Sequence, residues 1–154
     1  MTLHFSYGAN MSRAVMRRHA PNARALGVAE LADHRFVITG DGYASVEPLR
    51  AHVLHGVLWR ITPRDRVMLD LWENVEGGLY RTETILVRGP DGHAPALVYI
   101  ARPAGEGRPK PGYIELVVKA AREWDLPEPY IRSLQEWMPV RSLGSDVRKI
   151  GEFR

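Results

Sequence analysis

The chain has 154 residues, enough for one domain, and its 21 Lys and Arg against 18 Asp and Glu give a net charge of +3. The absence of cysteine excludes a disulfide framework, thiolate metal ligands and a cysteine nucleophile. The charge is nearly balanced, and one small basic group at residues 13–24 gives only weak support for binding to a polyanion. We therefore expect a single domain over residues 1–154 that binds no nucleic acid and uses oxygen and nitrogen groups for its chemistry.

The N-terminal residues predict the compartment. Residues 1–8 have neither a basic leader nor a continuous apolar stretch, so no signal peptide is expected. No apolar run approaches the ~20 residues of a membrane-spanning helix. We expect a cytoplasmic protein that does not associate with membranes, and the sequence does not predict its oligomeric state.

The first elements are a predicted strand, a sharp turn and a short helix. Residues 3–7 form a strand-like run, Gly8 turns the chain, and Ser12 can cap a helix. Free backbone N–H groups at the start of such a helix can hold an anion. A simple strand-to-helix turn explains Gly8 and Ser12 but gives no reason for Tyr7 and Asn10. Both interpretations stay open at this point.

Further strands and a helix follow in the middle of the chain. The strands cover residues 35–39, 44–47 and 53–61, which are rich in Val, Ile, Leu and aromatic residues. Thr62 offers a capping hydroxyl, Pro63 occupies the first helical position and Asp65 adds an early acidic group, so a helix is predicted to about Trp72. Its inner face is expected to consist of Val67, Met68 and Leu71.

A carboxylate, Glu73, follows at the predicted end of this helix. It meets the negative end of the helix dipole and is flanked by Trp72 and Val75, so we expect partial desolvation to raise its pKa above the usual value of about 4.3. Such a group can act as a partly desolvated base. A solvated surface carboxylate is the alternative. Glu76 adjoins Gly77-Gly78 and is expected to be more exposed.

The C-terminal part of the sequence predicts a hairpin followed by helices. Strands at residues 82–87 and 96–101 are joined by the turn Gly89-Pro90-Asp91-Gly92. Residues 104–111 form a Gly/Pro-rich linker suited to a mobile loop. Apolar residues at helical spacing then predict helices over residues 113–124 and 130–137. The fold class is α+β, a mixed and strongly curved sheet in the form of a small barrel, with flanking helices.

Other familiar sites have little support. His52 and His55 lie three residues apart in or beside a strand, so their rings face opposite sides and a metal site is not expected. No glycine-rich segment has the lysine and following helix of a phosphate-binding loop. No serine stands in a nucleophile elbow, so the serines are interpreted as turn and cap residues.

Two segments together resemble the signature of the γ-glutamylcyclotransferase-like family, Tyr-Gly-Ser-Asn followed later by Glu-Gly-Val-x-x-Gly-x-Tyr. Here they read Tyr7-Gly8-Ala9-Asn10 and Glu73-Asn74-Val75-Glu76-Gly77-Gly78-Leu79-Tyr80. Similar features extend the resemblance over about residues 5–134. Ala9 replaces the usual serine and Asn74 the usual glycine. Asn74 must therefore adopt the backbone conformation of a glycine, which asparagine tolerates better than most residues.

The resemblance implies a small β-barrel with flanking helices, no metal or organic cofactor, and a cavity for a γ-glutamyl group. Glu73 would be the catalytic acid/base that drives cyclisation to 5-oxoproline with release of an amine or amino acid. Tyr7, Gly8, Ala9 and Asn10 would form one wall of the substrate site. Tyr99 lies on a segment similar to a family strand with an inward tyrosine and is expected in the same cavity; the alternative is a core tyrosine.

Other functions stay open at this level. A binding protein for γ-glutamyl-type ligands that has lost turnover is one alternative, and Ala9 and Asn74 are compatible with it. A related acyltransferase or cyclase that removes a γ-glutamyl group during natural-product synthesis would share the mechanism. Glutathione, γ-glutamyl amino acids and γ-glutamyl amines all remain possible substrates.

Overall fold

The computed structural model describes residues 2–139, and within them five strands close into a barrel. The strands are β1 (Thr2–Ser6), β2 (Arg24–Ile38), β3 (Ala44–Ile61), β4 (Tyr80–Gly89) and β5 (Gly92–Ala101). Their order around the barrel is β1-β3-β2-β4-β5. The contact of β1 with β5, at His4 and Leu97, is parallel, and the other pairs are antiparallel. The mixed barrel predicted from the sequence is confirmed.

Four α-helices pack around the barrel within the described range. They are α1 (Arg13–His19), α2 (Pro63–Trp72), α3 (Tyr113–Glu123) and α4 (Glu128–Gln135). The predicted caps of the first two are confirmed. The Ser12 hydroxyl accepts from the Val15 N–H at 3.3 Å, and Thr62 and Asp65 form a reciprocal capping box. None of the described helices is long and apolar enough to cross a membrane.

The strands β2 and β3 are much longer than the sequence predicts. Residues 44–47 and 53–61 belong to one strand, and residues 24–34, for which no strand is predicted, form the first part of β2. A register shift lies at Asp33, which has a φ of 58° and accepts the N–H of Ala51 at 2.9 Å. Residues 24–34 are rich in alanine, so the pairing with β3, and not local β propensity, sets their conformation.

The inner face of α2 differs from the prediction. The residues expected inside are exposed: Val67 by 58%, Met68 by 43% and Leu71 by 64%. Asp65 and Leu69 are buried instead, because the Asp65 carboxylate serves the capping box and also accepts the Asn22 N–H at 3.2 Å. This contact sets the rotation of the helix. Since side chains four residues apart share a face, Asp65, Leu69 and Glu73 form one buried row.

The segment after β5 is hydrogen-bonded to the end of β2 and to the turn that follows it. The Gly107 N–H donates to the Ile38 carbonyl at 2.9 Å, and the Lys110 N–H to the Gly42 carbonyl at 3.0 Å. A Cβ atom on Gly107 would lie 2.4 Å from the Thr39 carbonyl oxygen, so only glycine allows this approach. The structure therefore shows a segment held by backbone bonds where the sequence suggests a mobile loop.

The hairpin of β4 and β5 is as predicted, with Gly89 paired to Gly92. The expected domain range of 1–154 includes residues 1 and 140–154, which lie outside the described residues.

Candidate active site

A pocket of about 30 Å³ lies where β1, the loop that follows it and the end of α2 meet. Every site residue predicted from the sequence lines it, although Tyr7 and Tyr99 are 92 positions apart. The barrel closes β5 onto β1, and this closure brings the distant segments together. The lining residues are His4, Phe5, Ser6, Tyr7, Gly8, Ala9, Asn10, Ala44, Glu73, Tyr80, Tyr99 and Tyr113.

Gly8 is required at its position by close packing. Its φ of −118° lies outside the left-handed region, but an added Cβ atom would lie 2.9 Å from the Tyr113 hydroxyl and 3.3 Å from the Ala44 Cβ. The glycine therefore lets the first residue of α3 reach the pocket wall. The Tyr7 hydroxyl donates to the Tyr99 carbonyl at 2.5 Å, which ties this loop to β5.

A 3-10 turn, Ala9–Met11, follows the glycine. The Met11 N–H donates to the Gly8 carbonyl at 3.0 Å, which closes the turn. The N–H groups of Ala9 and Asn10 stand at the start of the turn, where no carbonyl within it can accept them. Donors of this kind can stabilise a developing negative charge on an oxygen.

Glu73 is the only carboxylate in the wall of the pocket among the described residues. It is 3% exposed, and the Asn10 Nδ2 donates to its Oε1 at 3.2 Å. Its neighbour Glu76 is exposed, as the sequence predicts. The buried row on α2 directs Glu73 towards the barrel, so the position of this carboxylate follows from the rotation of the helix.

The end of α2 is stabilised by Asn74 in the left-handed conformation, with a φ of 51°. The Val75 N–H donates to the Asp70 carbonyl at 3.0 Å and the Asn74 N–H to the Leu71 carbonyl at 3.1 Å. This pair of bonds is the usual way in which a left-handed residue ends a helix. The expectation that Asn74 adopts a glycine-like backbone is confirmed, and the replacement leaves Glu73 at the helix end.

The Tyr99 ring lines the pocket, as expected, while its hydroxyl has a protein partner. The hydroxyl donates to the Asp70 Oδ1 at 2.6 Å, and Arg66 donates to the same carboxylate at 3.1 Å. Burial and the bond to Asp70 both raise the pKa of Tyr99, so its hydroxyl stays protonated. A contact between Tyr99 and a substrate remains a prediction.

His4 is a pocket residue that the sequence analysis missed. Its Nδ1 lies 3.1 Å from the Leu97 carbonyl, and its ring packs edge-on against Tyr99 at 5.4 Å between centroids. Burial lowers the pKa of His4 to about 4. No local signal could reveal this site, because the partner carbonyl is 93 positions away. Tyr80 and Tyr113 were also missed as lining residues, although both occur in the segments that resemble the family.

The pocket wall within residues 2–139 carries no lysine or arginine. Among the described residues, no group of three or more His, Asp or Glu side chains is arranged to hold a metal ion. The chemistry available from the wall is therefore one carboxylate, a neutral imidazole, serine and tyrosine hydroxyls, an amide and backbone N–H groups.

Comparisons with known proteins identify the family and the fold. The sequence profile of the AIG2-like family matches residues 53–134. A solved structure named gamma-glutamyl cyclotransferase has a TM-score of 0.84 at 21% identity, covering 98% of each chain. An uncharacterised protein from Homo sapiens gives 0.84 at 22% identity, also over 98% of each chain. YkqA from Bacillus subtilis gives 0.75 at 21% identity over 88% of this chain and 53% of that one. At these identities the likeness establishes the fold. No curated protein matches the sequence.

Proposed function

The chain belongs to the AIG2-like family, and from that premise we propose that it is an enzyme of the γ-glutamylcyclotransferase type. It cyclises a γ-glutamyl compound to 5-oxoproline and releases an amine or amino acid. Glu73 is the catalytic acid/base, and Tyr7, Gly8, Ala9, Asn10 and Tyr99 form the substrate site. The protein needs no metal or organic cofactor for this reaction.

One observation carries the proposal: among the described residues Glu73 is the one carboxylate in the pocket wall, and it accepts a hydrogen bond from Asn10 of the loop after β1, which lines the same pocket. Intramolecular cyclisation needs few protein groups, because the nucleophile and the electrophile belong to the same substrate. A proton carrier and donors for the carbonyl oxygen are sufficient. We assign the first role to Glu73 and the second to the N–H groups of Ala9 and Asn10.

The reaction proceeds through transfer of protons from one nitrogen to another. Glu73 accepts a proton from the α-ammonium group of the substrate, and the free amine attacks the γ-carbonyl carbon to form the ring C–N bond. The oxyanion that develops faces the backbone N–H groups after Gly8. Glu73 returns the proton to the leaving nitrogen as the original amide C–N bond breaks. Two protons leave the α-nitrogen in total and two reach the leaving nitrogen, so Glu73 begins and ends ionised.

The pocket must widen when the substrate binds. A volume of about 30 Å³ accommodates a water molecule but not a γ-glutamyl group. Tyr99 and Tyr80 are tied by their hydroxyls, to Asp70 at 2.6 Å and to the Ala44 carbonyl at 2.6 Å. Adjustment of the wall is therefore part of binding, and the identity of the leaving group depends on surfaces outside this small space.

The test is an assay of the purified protein for 5-oxoproline with a panel of γ-glutamyl amino acids, γ-glutamyl amines and glutathione. The matched controls are α-linked glutamyl dipeptides, in which the γ-carboxyl group carries no leaving amine. Product from the γ-linked compounds alone supports the proposal. No product from the whole panel, together with measurable binding of a γ-linked compound, would assign the chain to the ligand-binding alternative.

A further inference from the structure

Two buried acceptor atoms in the pocket wall have no partner among the described residues: His4 Nε2 and Asn10 Oδ1. His4 is 2% exposed and Asn10 is 7% exposed. A buried polar atom without a hydrogen bond destabilises the folded state, so such atoms call for a physical reason. Both residues line the pocket that contains Glu73.

The hydrogen bonds of each side chain identify these atoms as acceptors. A carbonyl oxygen can only accept, so the contact between His4 Nδ1 and the Leu97 carbonyl places the ring proton on Nδ1 and leaves a lone pair on Nε2. The Asn10 Nδ2 donates to the Glu73 carboxylate, so the other amide atom, Oδ1, is the acceptor.

The protonation state of His4 is consistent with this role. Burial lowers its pKa to about 4; the bond to Leu97 opposes the shift, and the nearby charge of Arg66 adds to it. At neutral pH the ring is therefore uncharged, and its Nε2 lone pair is available.

We propose that His4 Nε2 and Asn10 Oδ1, together with the Glu73 carboxylate, form an acceptor site for a primary ammonium group. An ammonium group has three N–H donors, and the two unpartnered atoms together with the carboxylate give three acceptor groups in one wall. His4 is then a positioning residue that selects substrates with a free α-amine. The inference rests on the proposed function, since this ammonium is the one that Glu73 deprotonates.

Binding of a matched pair of ligands tests the assignment without turnover. Both ligands are γ-glutamyl sulfonamide analogues, in which SO₂ replaces the γ-carbonyl so that no cyclisation occurs; one keeps the α-amine and the other lacks it. We expect the parent protein to bind the amine ligand more tightly. The substitution His4→Phe keeps a ring and removes the acceptor, so it should weaken binding of the amine ligand by about 10- to 100-fold.

The same substitution should change binding of the ligand without the amine by less than about threefold, because that ligand makes no bond to Nε2. His93→Phe is the matched control, since His93 is exposed outside the pocket, and it should alter neither affinity. Titration calorimetry measures the dissociation constants of both ligands. Equal weakening of the two ligands by His4→Phe, no weakening of either, or no binding of either ligand to the parent protein would each overturn the proposal.

A measurement on the unchanged protein covers the case in which His4→Phe does not fold. In the ¹⁵N spectrum of the histidine rings, His4 should show an unprotonated Nε2 that shifts when the amine ligand binds and stays in place with the ligand that lacks the amine. A protonated Nε2, or equal shifts with both ligands, contradicts the inference. The 5-oxoproline assay separates the two proposals: selective amine binding without product refutes only the cyclisation, and product formation unaffected by His4→Phe refutes only the role of His4.

Discussion

The substitution Glu73→Gln tests the proposed proton carrier directly. Glutamine has the shape of glutamate, and its Oε1 can still accept from the Asn10 Nδ2, the bond that measures 3.2 Å in the structure. The change removes proton transfer and keeps this bond. Loss of a general acid/base lowers turnover by about two to four orders of magnitude, which corresponds to about 3–5 kcal/mol of barrier height.

Stability is expected to change little. Glu73 is 3% exposed, so the substitution exchanges a buried charge for a neutral amide of equal size and removes a desolvation cost. The free energy of unfolding of Glu73→Gln should therefore stay within about 1 kcal/mol of the parent value or rise. Chemical denaturation, followed by circular dichroism, separates a catalytic loss from a folding defect.

Glu76→Gln is the matched control, because it is the same replacement three residues away at an exposed position. Its steady-state rate of 5-oxoproline formation should remain within about twofold of the parent rate, since surface substitutions of this kind have small effects. Equal effects of the two substitutions, or full activity of Glu73→Gln on a substrate that the parent protein cyclises, would refute the assignment of Glu73.

Four further predictions follow from named contacts. Gly8→Val should lower turnover by at least about tenfold, because its side chain meets the Tyr113 hydroxyl, which lies 2.9 Å from the first added carbon. The rise in barrier height should exceed the loss in free energy of unfolding, and parallel kinetics and denaturation measure the two quantities. Tyr99→Phe should lower the free energy of unfolding by about 1–2 kcal/mol through loss of the bond to a carboxylate while the ring stays in the wall; a loss of substrate affinity beyond tenfold would instead place the hydroxyl on the substrate. Asn74→Ala should destabilise by about 1–2 kcal/mol, since alanine tolerates a φ of 51° poorly, whereas Asn74→Gly should cost less. The pKa of His4 is about 4 in the folded state and 6.5 in the unfolded chain, so the unfolded state binds more protons between these values and stability must fall as pH falls. At 1.36 kcal/mol per pKa unit, the free energy of unfolding of the parent should fall by about 3 kcal/mol more than that of His4→Phe between pH 7 and 4. Identical pH profiles of stability for the two proteins would contradict this prediction.

Local sequence signals predict the structure correctly where one segment contains all the groups that determine its conformation. The caps at Ser12 and Thr62 depend on side chains and backbone groups within three residues of each other, so the sequence predicts both helix starts. The backbone conformation of Asn74 is also predicted from the local sequence, because asparagine is among the few residues that accept a left-handed conformation. The resemblance carried by the order and spacing of two segments predicts the barrel, and it also predicts a site at Glu73 and residues 7–10, which line one pocket. The roles of these site residues stay predictions.

Tertiary structure decided which way the elements face. Apolar spacing alone placed Val67, Met68 and Leu71 inside, yet the contact of Asp65 with Asn22 rotates α2 so that these three are exposed and Glu73 points into the pocket. Pairing with β3 made a strand of residues 24–34 despite their weak propensity. The Leu97 carbonyl fixes the tautomer of His4, and the Asp70 carboxylate accepts the hydrogen bond of the Tyr99 hydroxyl. Each of these outcomes depends on a group far away along the chain, and the two groups come into contact only when the barrel has closed.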